Sequence, residues 1–170
     1  MGQQLITNAD LLRKIIMFLA DNIGSNTFMS SNGNTLANEG LLGDNRKDEP
    51  AAQTVHAYVG VLVESYIFYE AKRFDIKGKE YLCTLGKYYI IDIRLRNYRL
   101  GFRNMDTCYV LENIMYFELL RRVYDVAIGK VGNVEVDFVA TNIDKKIYYQ
   151  LTHTNHYCYY NILCCFLSIV

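Results

Sequence analysis

The sequence predicts an α+β protein in which helices and a β-hairpin precede a smaller α/β unit. Three observations carry this. Apolar residues recur at helical spacing near the start and again after Pro50, two strand-like runs flank a KGK turn at Lys77 to Lys79, and the second half follows a helix-like stretch with strands of period two. At 170 residues and 51% hydrophobic, the chain can bury one medium core or two small ones. Its 18 basic side chains balance its 18 acidic ones, so only local charge can argue for nucleic acid or an anionic membrane as a partner.

Asn8 is placed to cap a first helix in which Leu12, Ile15, Ile16 and Leu19 fall at i, i+3, i+4 and i+7, with Gly24 as terminator. A second helix is expected over 32–39, ended by Gly40, with Gly33 near its start. After the polar break GDNRKDEP, the residues Val55, Val59, Leu62, Val63 and Tyr66 mark the apolar face of a third helix, while Gln53, Thr54, His56 and Gly60 lie toward the other face. IFYEAKRFD and KEYLCTLGKYYIID then read as the strands of a hairpin. Three helices and a hairpin compose a winged-helix-like domain, in which the third helix enters a major groove and the hairpin touches backbone phosphate.

Between Lys72 and Arg103 there are nine basic residues against three acidic ones, a local excess of six positive charges suited to a phosphate backbone. The candidate DNA-binding residues are Thr54, His56, Lys72, Arg73, Lys77 and Lys79. His56, Ala57 and Gly60 offer few base-reading donors, so the contact expected is backbone-directed and steeply salt-dependent. Solvated charge runs and protein-docking winged helices give the same pattern, which leaves a protein partner open. The link from Tyr88 to Phe102 reads as an apolar strand followed by a turn of basic residues.

In the second half, a helix from Tyr109 to Arg122 has Leu111, Ile114, Met115 and Glu118 on neighbouring rows, with Glu112 on the flank of that stripe. After the KVGN turn, period two in VEVDFVA puts Glu135 and Asp137 on one face and Val134, Val136 and Phe138 on the other. KIYYQ follows the DKK turn and ends on Gln150. A helix carboxylate, a strand carboxylate and a residue on the next strand come in the order in which restriction-endonuclease-like folds gather ligands for a divalent metal. Two such acids hold a hard Mg²⁺ through oxygen, and the ion polarises phosphate and activates water.

The stretch from Gly86 to Gln150, with GKYYIIDIRLRNYRLGF and LENIMYFELLRRVYDVAIGKVGNVEVDFVA, resembles the C-terminal domain of unknown function of bacterial and archaeal AAA-type ATP-binding proteins. The likeness covers most of residues 5 to 151. It implies an ATPase module, a winged-helix region and a PD-(D/E)XK nuclease-like domain in that order. The domains expected here are 1–103, winged-helix-like; 104–151, an incomplete restriction-endonuclease-like domain; and 152–170, a divergent apolar tail. The resemblance implies Glu112, Asp137 and Gln150 as degenerate catalytic positions, with Glu112 and Asp137 as ligands of Mg²⁺. The lysine of the motif falls on Thr152, and Lys130 or Lys146 are the candidates to replace it in space.

No GxxxxGK[ST] loop occurs, so the chain is not expected to hydrolyse ATP itself. The last 14 residues of the tail, from Tyr157, are apolar except Asn161 and Ser168, too short a run for a spanning helix, which needs about 18 to 20 apolar residues, and the tail's abrupt departure from the resemblance suggests a truncated or frame-shifted reading frame. The five cysteines lack CxxC spacing and MGQQLITNAD is no signal peptide, which fits a reducing cytoplasm. His153, His156 and Cys158 lack a fourth zinc ligand. Three readings follow: a DNA- or partner-binding regulatory module with a degenerate nuclease-like half, a Mg²⁺-dependent nuclease, and an inactive remnant.

Overall fold

The computed structural model describes residues 8–26, 52–78, 80–103, 107–154 and 157–163, without the side chains of 52, 80–85 and 152–163. Among them are four helices, α1 (Ala9–Asp21), α2 (Ala52–Glu64), α3 (Ile93–Leu100) and α4 (Thr107–Arg121). Six strands, β1 (Phe68–Asp75), β2 (Glu80–Ile90), β3 (Asp125–Val131), β4 (Val134–Thr141), β5 (Lys146–Thr154) and β6 (Tyr157–Leu163), form one mixed sheet of order β2-β1-β3-β4-β5-β6. The protein is thus α+β. The helix expected over 32–39 lies outside the described residues. None of the described helices is long and apolar enough to cross a membrane.

The chain divides into two compact units, Met1–Glu70 with Tyr88–Phe102, and Ala71–Lys87 with Arg103–Val170. In the first, Asn8 caps α1 as expected: its Oδ1 accepts from the N–H groups of Asp10 (3.1 Å) and Leu11 (3.0 Å). Its own N–H donates to the Tyr58 hydroxyl (3.0 Å), which ties the helix start to α2. The buried face of α1 is Leu11, Ile15, Phe18 and Leu19, with Leu12 and Ile16 only partly buried beside it. The stripe is rotated by one residue from the expected one because Phe18, the bulkiest apolar side chain nearby, takes the core position. Val55, Tyr58, Val59 and Leu62 of α2 complete this core with Phe68, Tyr88 and Ile90.

Tyr66 does not continue the apolar face of α2. It lies past the helix end at φ 57°, is 69% exposed, and sits in a Schellman-type stop in which the Ile67 N–H donates to Leu62 O and the Tyr66 N–H to Val63 O. The supposed turn of basic residues after β2 is a helix instead. Asp92 caps α3 by accepting from the Arg94 N–H (2.8 Å), and Gly101, at φ 78°, closes it. Arg96, counted in the basic stripe, is buried at 1% exposure and donates from Nε to the Ala20 carbonyl (2.9 Å).

In the second unit, β1 runs parallel to β3 through Arg73↔Ile128 and Asp75↔Lys130, and residues 71–87 belong with this unit. Asp75 Oδ1 accepts from the N–H groups of Lys77 and Gly78 and shapes the expected turn there. Val131 pairs with Val134 around Gly132, whose φ of 60° suits a two-residue hairpin turn. Beyond Gln150 the chain continues as β5 and returns as β6, with Gln150 opposite Asn161 and Thr154 opposite Tyr157. The first part of the apolar tail is therefore a paired strand. Cys108 in α4 is disulfide-bonded, and its partner lies outside the described side chains.

Candidate functional site

Helix α4 is apolar almost all round, so periodicity alone does not choose its inner face. Its buried residues are Glu112, Asn113, Tyr116 and Leu119; Ile114, expected on the inner stripe, is 51% exposed. Glu112 is thus a core position. Tyr116 meets Phe138 of β4 at 6.1 Å between ring centroids, which fixes the helix against the strand that carries the other acids.

On β4, Glu135 and Asp137 share a face, as period two requires. The register Phe138↔Tyr149 sets Asp137 directly opposite Gln150 on β5. Gln150 Nε2 donates to Asp137 Oδ2 (2.8 Å), and the Leu151 N–H donates to the same oxygen (2.6 Å). Gln150 is therefore not a free amide facing a ligand: it holds the aspartate.

The residue that links the acids is one the sequence reading placed elsewhere. Lys87, from β2, is 4% exposed, and its Nζ lies 3.0 Å from Glu112 Oε1 and 2.9 Å from Glu135 Oε1. Arg73 of β1 completes the cluster with its Nη2 2.7 Å from Glu135 Oε2, while its Nε is buried without a hydrogen-bond partner. Arg73 was expected on phosphate but points into this interior. The Lys146 ammonium sits 4.4 Å from the Phe74 ring centroid, and Lys130 is paired along the backbone with Glu135, while the ammonium bonded to the acids is that of Lys87.

The electrostatics follow from burial. Burial pulls the Lys87 ammonium toward neutrality, but the charges of Glu112 and Glu135 and their hydrogen bonds outweigh it, so its pKa rises and the amine stays protonated. Asp137 is pushed up by burial above all, with the Leu151 N–H and the Lys87 charge acting in the opposite direction and Glu135 adding to the rise. The arrangement is a buried network in which two cations hold two glutamates and an aspartate lies alongside.

The fit to Mg²⁺ can be tested on these contacts. Glu112 is engaged by the Lys87 ammonium and Glu135 by that ammonium and the Arg73 guanidinium, Asp137 is bound by the amide and backbone of β5, and among the described residues no three His, Cys, Asp or Glu side chains are grouped to hold a metal ion. The donor set of Glu112 with Asp137 does not fit a divalent cation as it stands. Of the expected DNA contacts, His56, Lys72 and Lys77 are exposed, Thr54 is half-buried, and Lys79 lies outside the described residues, as do the side chains of His153, His156 and Cys158.

No protein-family model matches the chain, and no solved structure matches it. A curated protein of Haemophilus influenzae, named only as an uncharacterized protein, is 38% identical over 146 residues. Those residues are 86% of this chain and 35% of that protein, so the chain spans about a third of that relative's length.

Proposed function

We propose that the chain is a DNA- or partner-binding regulatory module, related to the C-terminal region of AAA-type ATP-binding proteins, whose nuclease-like half is silent. The observation that carries this reading is the Lys87 ammonium held between Glu112 and Glu135 at 3.0 and 2.9 Å. An internal cation engages Glu112, one of the two acids that a metal-dependent nuclease would keep free for its ion. The carboxylates then serve folding, and the unit acts as a rigid platform. The far greater length of the Haemophilus relative supports a role as one part of a larger architecture.

The test is a nuclease and binding assay on the intact chain with labelled DNA, with and without Mg²⁺ or Mn²⁺. Salt-sensitive binding that leaves the DNA intact under all metal conditions is the expected result. The Mg²⁺-dependent nuclease is the second reading, favoured by one contact: Lys87 brings to the acids the amine that Thr152 lacks. Metal-dependent cleavage abolished by both Asp137→Ala and Lys87→Met would establish it in place of the first.

A further inference from the structure

We infer that the outer face of α3 is a binding surface for single-stranded nucleic acid, with Tyr98 as a stacking platform and Arg94 and Arg99 as phosphate contacts. Ile93, Arg96, Asn97 and Leu100 are buried or half-buried, and Arg94, Leu95, Tyr98 and Arg99 form the exposed face. Arg94 and Tyr98 are one turn apart on the same row, so the Arg94 guanidinium and the ring are neighbours, and Arg99 flanks them on the next row of the exposed side. Tyr98 is 83% exposed. The neighbouring acid, Asp92, is engaged at the helix start by the Arg94 N–H.

These two arginines differ from every other described arginine. Arg13 pairs with Asp10, Arg73 with Glu135, and Arg121 and Arg122 with Glu118; Arg96 bonds to Ala20 O, and Arg103 is also engaged. Among the described arginines, only Arg94 and Arg99 have no partner, and both lie on the exposed side of α3 that carries the ring. Planar guanidiniums match phosphate oxygens, and a tyrosine face takes an unstacked base. Duplex DNA keeps its base faces stacked, and an acidic protein surface engages the arginines without using the ring. A single strand uses all three residues. The buried Arg96 anchors the helix from the other side, which fixes the face in place.

The inference rests on the reading of the chain as a nucleic-acid-binding module and moves the contact from the third helix and hairpin to α3. Its test measures the intact chain by fluorescence anisotropy against a labelled oligothymidylate and a duplex of equal length over a range of salt, with polyglutamate as competitor. We expect the single strand to bind more tightly, Tyr98→Ala to weaken it about tenfold, and the Arg94→Gln, Arg99→Gln double variant to lower the slope of log affinity against log salt by about 1.4. Lys14→Gln, at an exposed position of α1, is expected to change neither.

Single-strand binding indifferent to Tyr98→Ala overturns the inference, as does competition by polyglutamate equal to that of unlabelled oligothymidylate, which would assign the face to an acidic protein. Duplex binding that ignores all three substitutions overturns the inference and leaves the module reading standing. Binding to neither nucleic acid removes both the inference and the DNA part of that reading.

Discussion

The interiors of the two units are built on opposite principles. In the first, Ile15, Leu19, Val59 and Phe68 are buried in an apolar cluster whose stabilisation is non-directional and grows with area removed from water. In the second, Lys87 joins Glu112 and Glu135 by ion pairs of defined geometry, and Arg73 holds the other oxygen of Glu135. A small deletion in the first interior therefore loses part of its contribution, while loss of one member of the second leaves buried charges unmatched. The difference teaches where this chain is tolerant and where it is not.

The largest effect should come from breaking the charged interior. Lys87→Ala takes the ammonium from both Glu112 and Glu135, leaves Glu135 to Arg73, and is expected to cost about 3 to 5 kcal/mol in denaturant unfolding. Joining it to Glu112→Gln should recover part of the loss, and a cost no smaller in the double variant would contradict the coupling. By comparison, Leu19→Ala in the apolar interior is expected to cost about 3 kcal/mol, with no comparable recovery from any charge removal.

Alkaline titration sharpens the same contrast. The Lys87 pKa is raised by folding, so its contribution is complete below the ordinary lysine value of 10.5 and is lost as pH rises through the higher folded-state value. Wild type and Leu19→Ala should lose stability in parallel over that limb, and the Lys87→Ala variant should lose less. Melting curves from neutral to strongly alkaline pH check this.

Two helix ends supply a smaller comparison. Asn8 is a well-formed cap in the first unit, and its loss in Asn8→Ala is expected to cost about 1 kcal/mol. Val123, at φ 61° and 84% exposed, closes α4 with a β-branched residue where glycine is favoured, so Val123→Gly should stabilise by about 1 kcal/mol. Thermal unfolding of both variants reads the two signs.

The smallest effect is expected at Asp137. Its folded-state pKa is raised, so its charged form is disfavoured by folding, and that penalty appears as pH rises through the folded value. Asp137→Asn keeps an oxygen for Gln150 and Leu151 and should be slightly more stable than wild type at neutral pH, by less than about 1 kcal/mol. The two should converge once the pH falls below 3.8, the ordinary value. A neutral-pH loss instead would mean that the charge of Asp137 is structurally required.

Much of this was legible where one physical rule dominated. The Asn8 cap, the turns at Gly78 and Gly132, and the shared face of Glu135 and Asp137 follow from local chemistry and from period two. The inner face of α4 was not legible, because an apolar residue stands at nearly every position and the helix turns Glu112 and Asn113 inward to meet the sheet. Lys87 was hidden among nine basic residues treated as one solvated stripe. A signal was present nonetheless: in GKYYII, period two puts Lys87 on the same face as Tyr89, which is fully buried, so a lysine on that face calls for a buried partner. Arg73 was missed for the same reason, since its acceptor is 62 residues away in sequence.

The threading of the chain sets a limit on its modularity. Because residues 71–87 belong with the unit that resumes at Arg103, the polypeptide passes from one unit to the other at three points. A gene fragment beginning near residue 103 would encode the carboxylates of that interior without Lys87 or Arg73, the cations that answer them. Neither unit can be inherited, transplanted or expressed as a single uninterrupted stretch, and evolutionary exchange would have to carry both together.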